Sequence, residues 1–313
     1  MDGDGTLLFR QMANSVTLSA RDLSLLRLLS WTPATAALLL RASISFEGEP
    51  FTDERRLRER LQTLSAAGLV RSWSTAHAGG GLQNYYKLTT LGFERCYGPG
   101  AQKPPRSFFV EISPALFEHT LNLAGVIAET VRACHVGRVN IQHVFRENEL
   151  TFTVGTDHIQ PDCFFRLEFG GKPFNVAFEI DQGTESLDSN AENSIRTKLR
   201  IYDAYQETLL SDWRASNKTW QRPRFRLAFL TPSIDRVHHI LSLAAQTTCN
   251  GRRRLVFAAT QDSFVTVSDP ITSPLFLDHH GHWQSLVDLH PTSSNGKPSV
   301  RLKPLMAAMP LLW

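Results

Sequence analysis

Apolar positions in the first hundred residues recur at helical spacing, broken by marked turn residues. Ser19 precedes ARDLSLLRLLSW, where Leu25, Leu28 and Leu29 stand at i, i+3 and i+4, so Ser19 reads as the N-cap of a first helix. Thr32-Pro33 opens a second, ATAALLLR, with proline in the first turn. A third begins at Thr52; Leu57, Leu61 and Leu64 form its apolar stripe, and Gly68 stops it. Two strand-like runs then flank a glycine tip at Gly79, Gly80 and Gly81, which reads as a hairpin, and TTLGFERCYG supplies a short closing helix. The stretch GPGAQKPP is rich in proline and glycine and marks a linker.

Beyond the linker the periodicity alternates between helical and extended. A helix is predicted over 114–133, strands over 150–154, 163–169 and 174–181, and a helix over 190–210. A strand (225–230), a helix (234–245) and a strand (255–259) follow. This order predicts an α/β core around a mixed sheet. Residues 262–313 hold short apolar runs broken by prolines, and their pattern assigns them no structure. The division expected is a poorly ordered leader (1–17), a first domain (18–98), a linker (99–108) and a second domain (109–313).

Composition narrows the classes. The chain has 313 residues, 42% hydrophobic and 20% charged, the make-up of a water-soluble globular protein. A formal net charge of +3 neither demands nor excludes nucleic acid, so basic character has to be local. The four cysteines, Cys96, Cys134, Cys163 and Cys249, lie far apart with no CxxC pair, against a zinc site or a disulfide scaffold. The N-terminus lacks the pattern of a secretory signal, and the apolar run 36–40 is too short to span a bilayer. A cytoplasmic protein with no membrane contact is expected.

The local basic character lies on the third helix. Arg55, Arg56 and Arg58 point away from the leucine stripe and Arg60 flanks it. Three helices followed by a two-stranded wing is the order of a winged helix-turn-helix, in which such arginines meet phosphates and base edges of double-stranded DNA. The same run also reads as a solvated charged face balanced by Asp53, Glu54 and Glu59.

The second half carries a carboxylate constellation in QPDCFFRLEFGGKPFNVAFEIDQGTES. Strand alternation puts Glu179 and Asp181 on one face. If Phe169 pairs with Phe174 across the turn, Asp162 pairs with Asp181 and joins them; a one-residue slip would separate them. Converging carboxylates hold protons or a cation, and oxygen ligands of this kind suit Mg²⁺ or Mn²⁺. The helix SIRTKLRIYDAY places Lys198, Tyr202 and Tyr205 on one face, with Arg196 and Arg200 as further cations. Lys198 is placed to stabilise phosphorane charge or position a water. His119, early on the helix before the core, is an accessory candidate or a satisfied core histidine. Tyr202 and Tyr205 leave a covalent tyrosyl route open beside hydrolysis. The alternative is a strand that ends in ordinary carboxylates beside a solvated helix face.

Pro161-Asp162 with Glu179-Ile180-Asp181 resembles a PD-(D/E)xK nuclease core. FEIDQGTES, SIRTKLRIYDAY and HTLNLAGV are similar to the replication-relaxation family of bacterial plasmids and mobile elements, and the whole arrangement resembles MobC-type relaxases. The resemblance spans roughly 18–260 and implies a winged helix followed by a restriction-endonuclease-like mixed-sheet core. It further implies metal-dependent nicking or cutting of DNA, at a plasmid origin or with transfer and replication proteins as partners. Asp162 and Glu179 would be metal ligands. Asp181 stands where the usual pattern has lysine; Lys198 would then supply the cation and Asp181 would assist the metal. The competing classes are a catalytically inactive DNA-binding regulator on a nuclease-like scaffold and a protein-interaction module of a transfer or replication complex.

Overall fold

A computed structural model describes residues 16–76, 82–189, 194–216, 224–248 and 253–287. Most of the expected leader and the glycine tip at 79–81 lie outside the described residues.

The N-terminal unit opens with helix α1 (Ala20–Trp31), whose first turn is closed by a reciprocal capping box between Ser19 and Asp22. Strand β1 (Ala34–Thr35) leads into α2 (Ala36–Ala42), capped by the Thr35 side chain. The second helix therefore starts three residues later than Thr32-Pro33 suggests, because Ala34 and Thr35 pair with Tyr86 and Tyr85. Helix α3 (Glu54–Ala66) is capped by Asp53 and buries Leu57, Leu61 and Leu64, as the stripe predicts. It ends in a Schellman-type turn: Leu69 N–H donates to Leu64 carbonyl, and Gly68 takes φ +71°. Strands β2 (Val70–Ala76) and β3 (Leu82–Leu88) form the hairpin, β1 adds to β3, and α4 (Thr90–Tyr97) closes the unit. The chain just past the proline-rich linker is pinned to β3. Lys87 Nζ donates to the Val110 carbonyl at 2.6 Å and Ile112 N–H donates to Tyr85 Oη at 3.0 Å.

The long helix α5 (Phe117–Val136) runs between this unit and the rest. Strands β4 (Asn140–Phe145), β7 (Cys163–Phe169), β8 (Lys172–Ile180), β9 (Arg226–Thr231), β10 (Val256–Thr260), β11 (Phe276–Asp278) and β12 (Trp283–Gln284) form one mixed sheet, ordered β12-β11-β10-β9-β8-β7-β4. Only β8, β9 and β10 run parallel to one another. Their crossovers are α6 (Ile195–Ala215) and α7 (Ile234–Thr247), which share one face of the sheet, as two successive right-handed crossovers in one direction require. Helix α5 and the short α8 (Gln261–Thr266) cover the other face. Strands β5 (Phe152–Val154) and β6 (Asp157–Ile159) form a separate hairpin beside α6, so the strand expected at 150–154 stands outside the main sheet. Part of the unassigned C-terminal stretch completes the sheet as β11 and β12.

Two apolar layers result. On the α5 side, Cys163, Phe165, Leu167, Val176, Phe178 and Ile180 join a cluster that continues into Leu25, Leu39 and Leu57 of the N-terminal unit. The buried Glu129 of α5 accepts from Arg41 of α2 at 2.8 Å and from Arg132 Nε at 2.7 Å, and Arg41 also reaches the Val265 carbonyl at 2.7 Å. On the α6 side, Phe164, Ala177, Phe229 and Ala258 meet Leu199, Tyr202 and Val237.

Candidate active site

The turn between β7 and β8 decides which carboxylates meet. Gly170 and Gly171 both take positive φ, +56° and +75°, and Phe169 pairs with Lys172. This is a two-residue loop, not the four-residue loop that pairing of Phe169 with Phe174 requires. The register is corrected by two positions: Cys163 pairs with Phe178, and its continuation sets Asp162 opposite Glu179. Asp162 N–H donates to the Phe178 carbonyl, and Asp162 Oδ2 accepts from Ile180 N–H at 2.6 Å. An even slip keeps every side chain on its face, so Asp162 and Glu179 still share the α6 side.

Glu179 is the centre of the constellation and is 2% exposed. Its Oε2 lies 2.9 Å from Lys198 Nζ, and its Oε1 accepts from Tyr202 Oη at 2.5 Å. Lys198 also reaches Glu185 Oε1 at 2.8 Å. Burial pushes the Glu179 carboxyl up; the Asp162 charge adds to this, while Lys198 and Tyr202 oppose it. Burial by itself would lower Lys198, but the charges of Glu179 and Glu185 outweigh it and the ammonium is held more firmly than usual. His119 Nε2 lies 3.3 Å from Asp162 Oδ1, and this contact raises the imidazole above its ordinary value against the effect of its burial. The side chains of Asp162, Lys198 and His119 are 17%, 20% and 23% exposed, so Glu179 is reached from their side.

Asp181 does not join. Its carboxylate is held by Arg236 of α7, with Oδ2 2.7 Å from Nε and Oδ1 3.1 Å from Nη2, and it also accepts from Gly183 N–H at 3.0 Å. With its side chain 1% exposed it anchors the loop after β8 to α7, and the three-carboxylate triad becomes a pair. Among the described residues no three His, Cys, Asp or Glu side chains stand close enough to hold a metal ion between them.

Tyr202 and Tyr205 separate as well. Tyr202 is fully buried, and burial and the Glu179 charge push its phenol well up. Tyr205 stacks on Phe152 with ring centroids 4.4 Å apart, inside the apolar layer. Neither hydroxyl is placed as a nucleophile for a strand arriving from solvent. Arg196 is paired with Asp188 on the surface, and Arg200 lies 3.5 Å from Asp157.

A model of the replication-relaxation family matches residues 26–219, well over half of the chain. The chain belongs to the replication-relaxation family. No curated protein and no solved structure gives a significant match. The replication-relaxation match takes in Asp162, Glu179, Glu185, Lys198 and Tyr202, and stops short of Arg236. Membership points to a part in plasmid or mobile-element replication or transfer. Glu185, which the sequence reading passed over, stands inside the quoted EIDQGTES stretch. Glu147, also passed over, has a charge that raises His119; its own carboxyl is raised by burial of the group, with His119 opposing and Asp162 adding, though the residue is exposed.

On the N-terminal unit of this replication-relaxation protein, Arg55, Arg56 and Arg58 are 73%, 65% and 61% exposed; Arg55 and Arg58 pair with Glu59 and Glu54 of the same helix, and Arg56 lies near its N-cap Asp53. Arg60 is different. Its guanidinium takes both oxygens of the buried Asp22 at 2.8 and 2.6 Å, and the Thr17 carbonyl at 3.0 Å, so it ties α3 to α1. No helix among the described residues is long and apolar enough to cross a membrane.

Proposed function

We propose that this replication-relaxation protein is a cytoplasmic, Mg²⁺- or Mn²⁺-dependent DNA endonuclease or relaxase that nicks or cuts a phosphodiester during plasmid or mobile-element replication or transfer. The observation that carries the reading is the pair Asp162–Glu179, opposite one another near the carboxyl end of a parallel strand with Lys198 on Glu179. The reading takes the C-terminal half as a PD-(D/E)xK-like core whose lysine is displaced from the strand to α6. It takes the N-terminal half as a winged helix, as in MobC-type relaxases.

Two carboxylates are enough for Mg²⁺ or Mn²⁺, which complete their shells with water and substrate phosphate; they are too few for an all-protein cage. Asp162 and Glu179 would hold the ion, and burial of Glu179 beside Asp162 leaves negative charge there that a cation relieves. When bound, such an ion polarises the phosphodiester and lowers the pKa of its water. Lys198, held as an ammonium, faces the developing negative charge. Glu185 orients Lys198 from its far side, and His119 orients Asp162. Tyr202 fixes the remaining Glu179 oxygen and excludes water beneath it. Hydrolysis is favoured over a covalent tyrosyl route because both core tyrosines are buried.

DNA is delivered by α3. The ion pairs of Arg55, Arg56 and Arg58 are solvent-exposed and individually weak, so phosphates can displace their acidic partners.

One observation favours a second reading, a catalytically inactive regulator: each Glu179 oxygen already has a protein partner. Incubation of supercoiled origin plasmid with and without Mg²⁺ or Mn²⁺ separates the two. The enzyme nicks only with the ion, and Glu179→Ala removes nicking while DNA still shifts in a gel. Intact plasmid with wild type and variant alike, across a range of origins, overturns the enzyme reading.

A further inference from the structure

A cavity of about 330 Å³ opens on the N-terminal unit between the first turn of α1 and the face of α3 that carries Arg56, Glu59, Arg60 and Thr63. Arg21 and Arg56 line it together with Phe51, Arg60, Glu49 and Glu59. The acids do not cancel the bases. Arg55 holds Glu59 at 2.7 Å, and Arg60 is committed to Asp22, which leaves Arg21 and Arg56 against Glu49.

Arg21 is built in rather than free. Its guanidinium lies 4.0 Å from the centre of the Phe51 ring, and its Nη1 donates to the Glu49 carbonyl at 3.1 Å. Its Nε is buried and has no acceptor among the described residues. Only the Nε is closed off from solvent; the residue as a whole is half-buried, and a planar fork held in place by an aromatic ring suits a tetrahedral anion. Arg56 adds a second cation whose own partner, Asp53, lies 3.8 Å away.

We propose that this cavity seats one backbone phosphate of the DNA, held by Arg21 and Arg56 beside α3. The inference rests on the reading that the N-terminal unit binds DNA, and it adds a contact that fixes where the duplex lies on α3. A backbone contact positions the duplex and carries no sequence information.

The test is equilibrium binding of the full chain to two unrelated duplexes across a range of salt. Arg21→Gln is expected to weaken both equally and to reduce the slope of log K against log salt by about 1. Arg56→Gln, a change at an exposed side chain, is expected to do the same, and if Arg21→Gln does not fold the test is carried by Arg21→Lys, which keeps the charge but not the fork and is expected to weaken both duplexes equally. Slopes and affinities unchanged in both variants, with Arg55→Gln still weakening binding, overturn the phosphate seat and leave the DNA reading standing. Wild type that binds neither duplex overturns both. Inorganic phosphate at constant ionic strength distinguishes a free anion. If it raises the melting temperature of wild type but not of Arg21→Gln, and neither variant alters DNA binding, the seat belongs to a small anion and the proposal fails.

Discussion

Lys198 and Glu179 meet at 2.9 Å although one lies on α6 and the other on β8, and Lys198 is shared with Glu185 on the loop between them. On the proposed nuclease reading, Lys198 would stand in for the lysine that the usual motif carries two residues after the strand glutamate. Lys198→Met is expected to lower nicking by about 10²–10³-fold, the loss typical of one electrostatic donor, with DNA affinity unchanged. Rates of supercoiled-plasmid nicking at saturating DNA and gel shifts on the same preparations check it. Nicking at the wild-type rate would remove Lys198 from the chemistry.

Asp181 and Arg236 form a buried pair that acts on the fold. Replacing one partner strands the other charge, which costs about 3–5 kcal/mol in buried pairs. Asp181→Asn and Arg236→Met are each expected to lower stability in urea denaturation, and the double variant to lose less than the sum of the two. Asp181→Asn with wild-type stability and no nicking would return Asp181 to the site.

How much of this was legible follows the local chemistry. The Ser19 cap of α1 and the leucine stripes of α1 and α3 mark those helices because each signal is local, and the structure keeps them, although α3 begins at Glu54 behind an Asp53 cap and not at Thr52. The shared face of Asp162 and Glu179 survives although the expected register does not, because the two registers differ by an even number of positions. The pairing was not legible, because a proline next to Gly170-Gly171, Pro173, reads as part of the turn. It sits in β8 opposite Glu168, where β9 has not yet begun to pair, so its missing N–H breaks no ladder on that side. Gly-Gly was the signal for the shorter turn. The fate of Asp181 was not legible because Arg236 lies 55 residues away. Strand β4, NIQHVF, hides because an edge strand with a register shift carries little apolar alternation.

Gly92 and Gly125 predict opposite outcomes for the same substitution. A Cβ at Gly92 would stand 2.0 Å from the Leu69 carbonyl oxygen, a backbone atom that cannot swing aside. Gly92→Ala is expected to cost about 1–3 kcal/mol by forcing α4 off the hairpin. At Gly125, inside α5, a Cβ meets nothing within 4 Å. Gly125→Ala is expected to stabilise by about 0.5–1 kcal/mol through helix propensity. Parallel thermal melts read both.

Asp22 makes the stability of the N-terminal unit depend on acid. Burial alone would raise its carboxyl, but the Arg60 and Ser19 hydrogen bonds hold it below its ordinary 3.8. A carboxyl depressed by folding binds fewer protons in the native state than in the unfolded one. Its stabilisation is therefore complete above 3.8 and is lost as pH falls through the lower, folded value. Asp22→Asn keeps the shape, removes the charge and leaves Arg60 without its partner. Since Arg60 is 26% exposed and water screens part of the loss, the expected cost at neutral pH is about 1–3 kcal/mol. Urea denaturation at neutral and strongly acidic pH should show the variant less stable than wild type at the first and close to it at the second. A constant gap across that range would mean that Asp22 acts through its hydrogen-bond geometry and not its charge. The same variant bears on the arginines: if Arg60 serves α1 and not DNA, freeing it leaves the affinity of the folded protein for DNA no weaker than that of wild type.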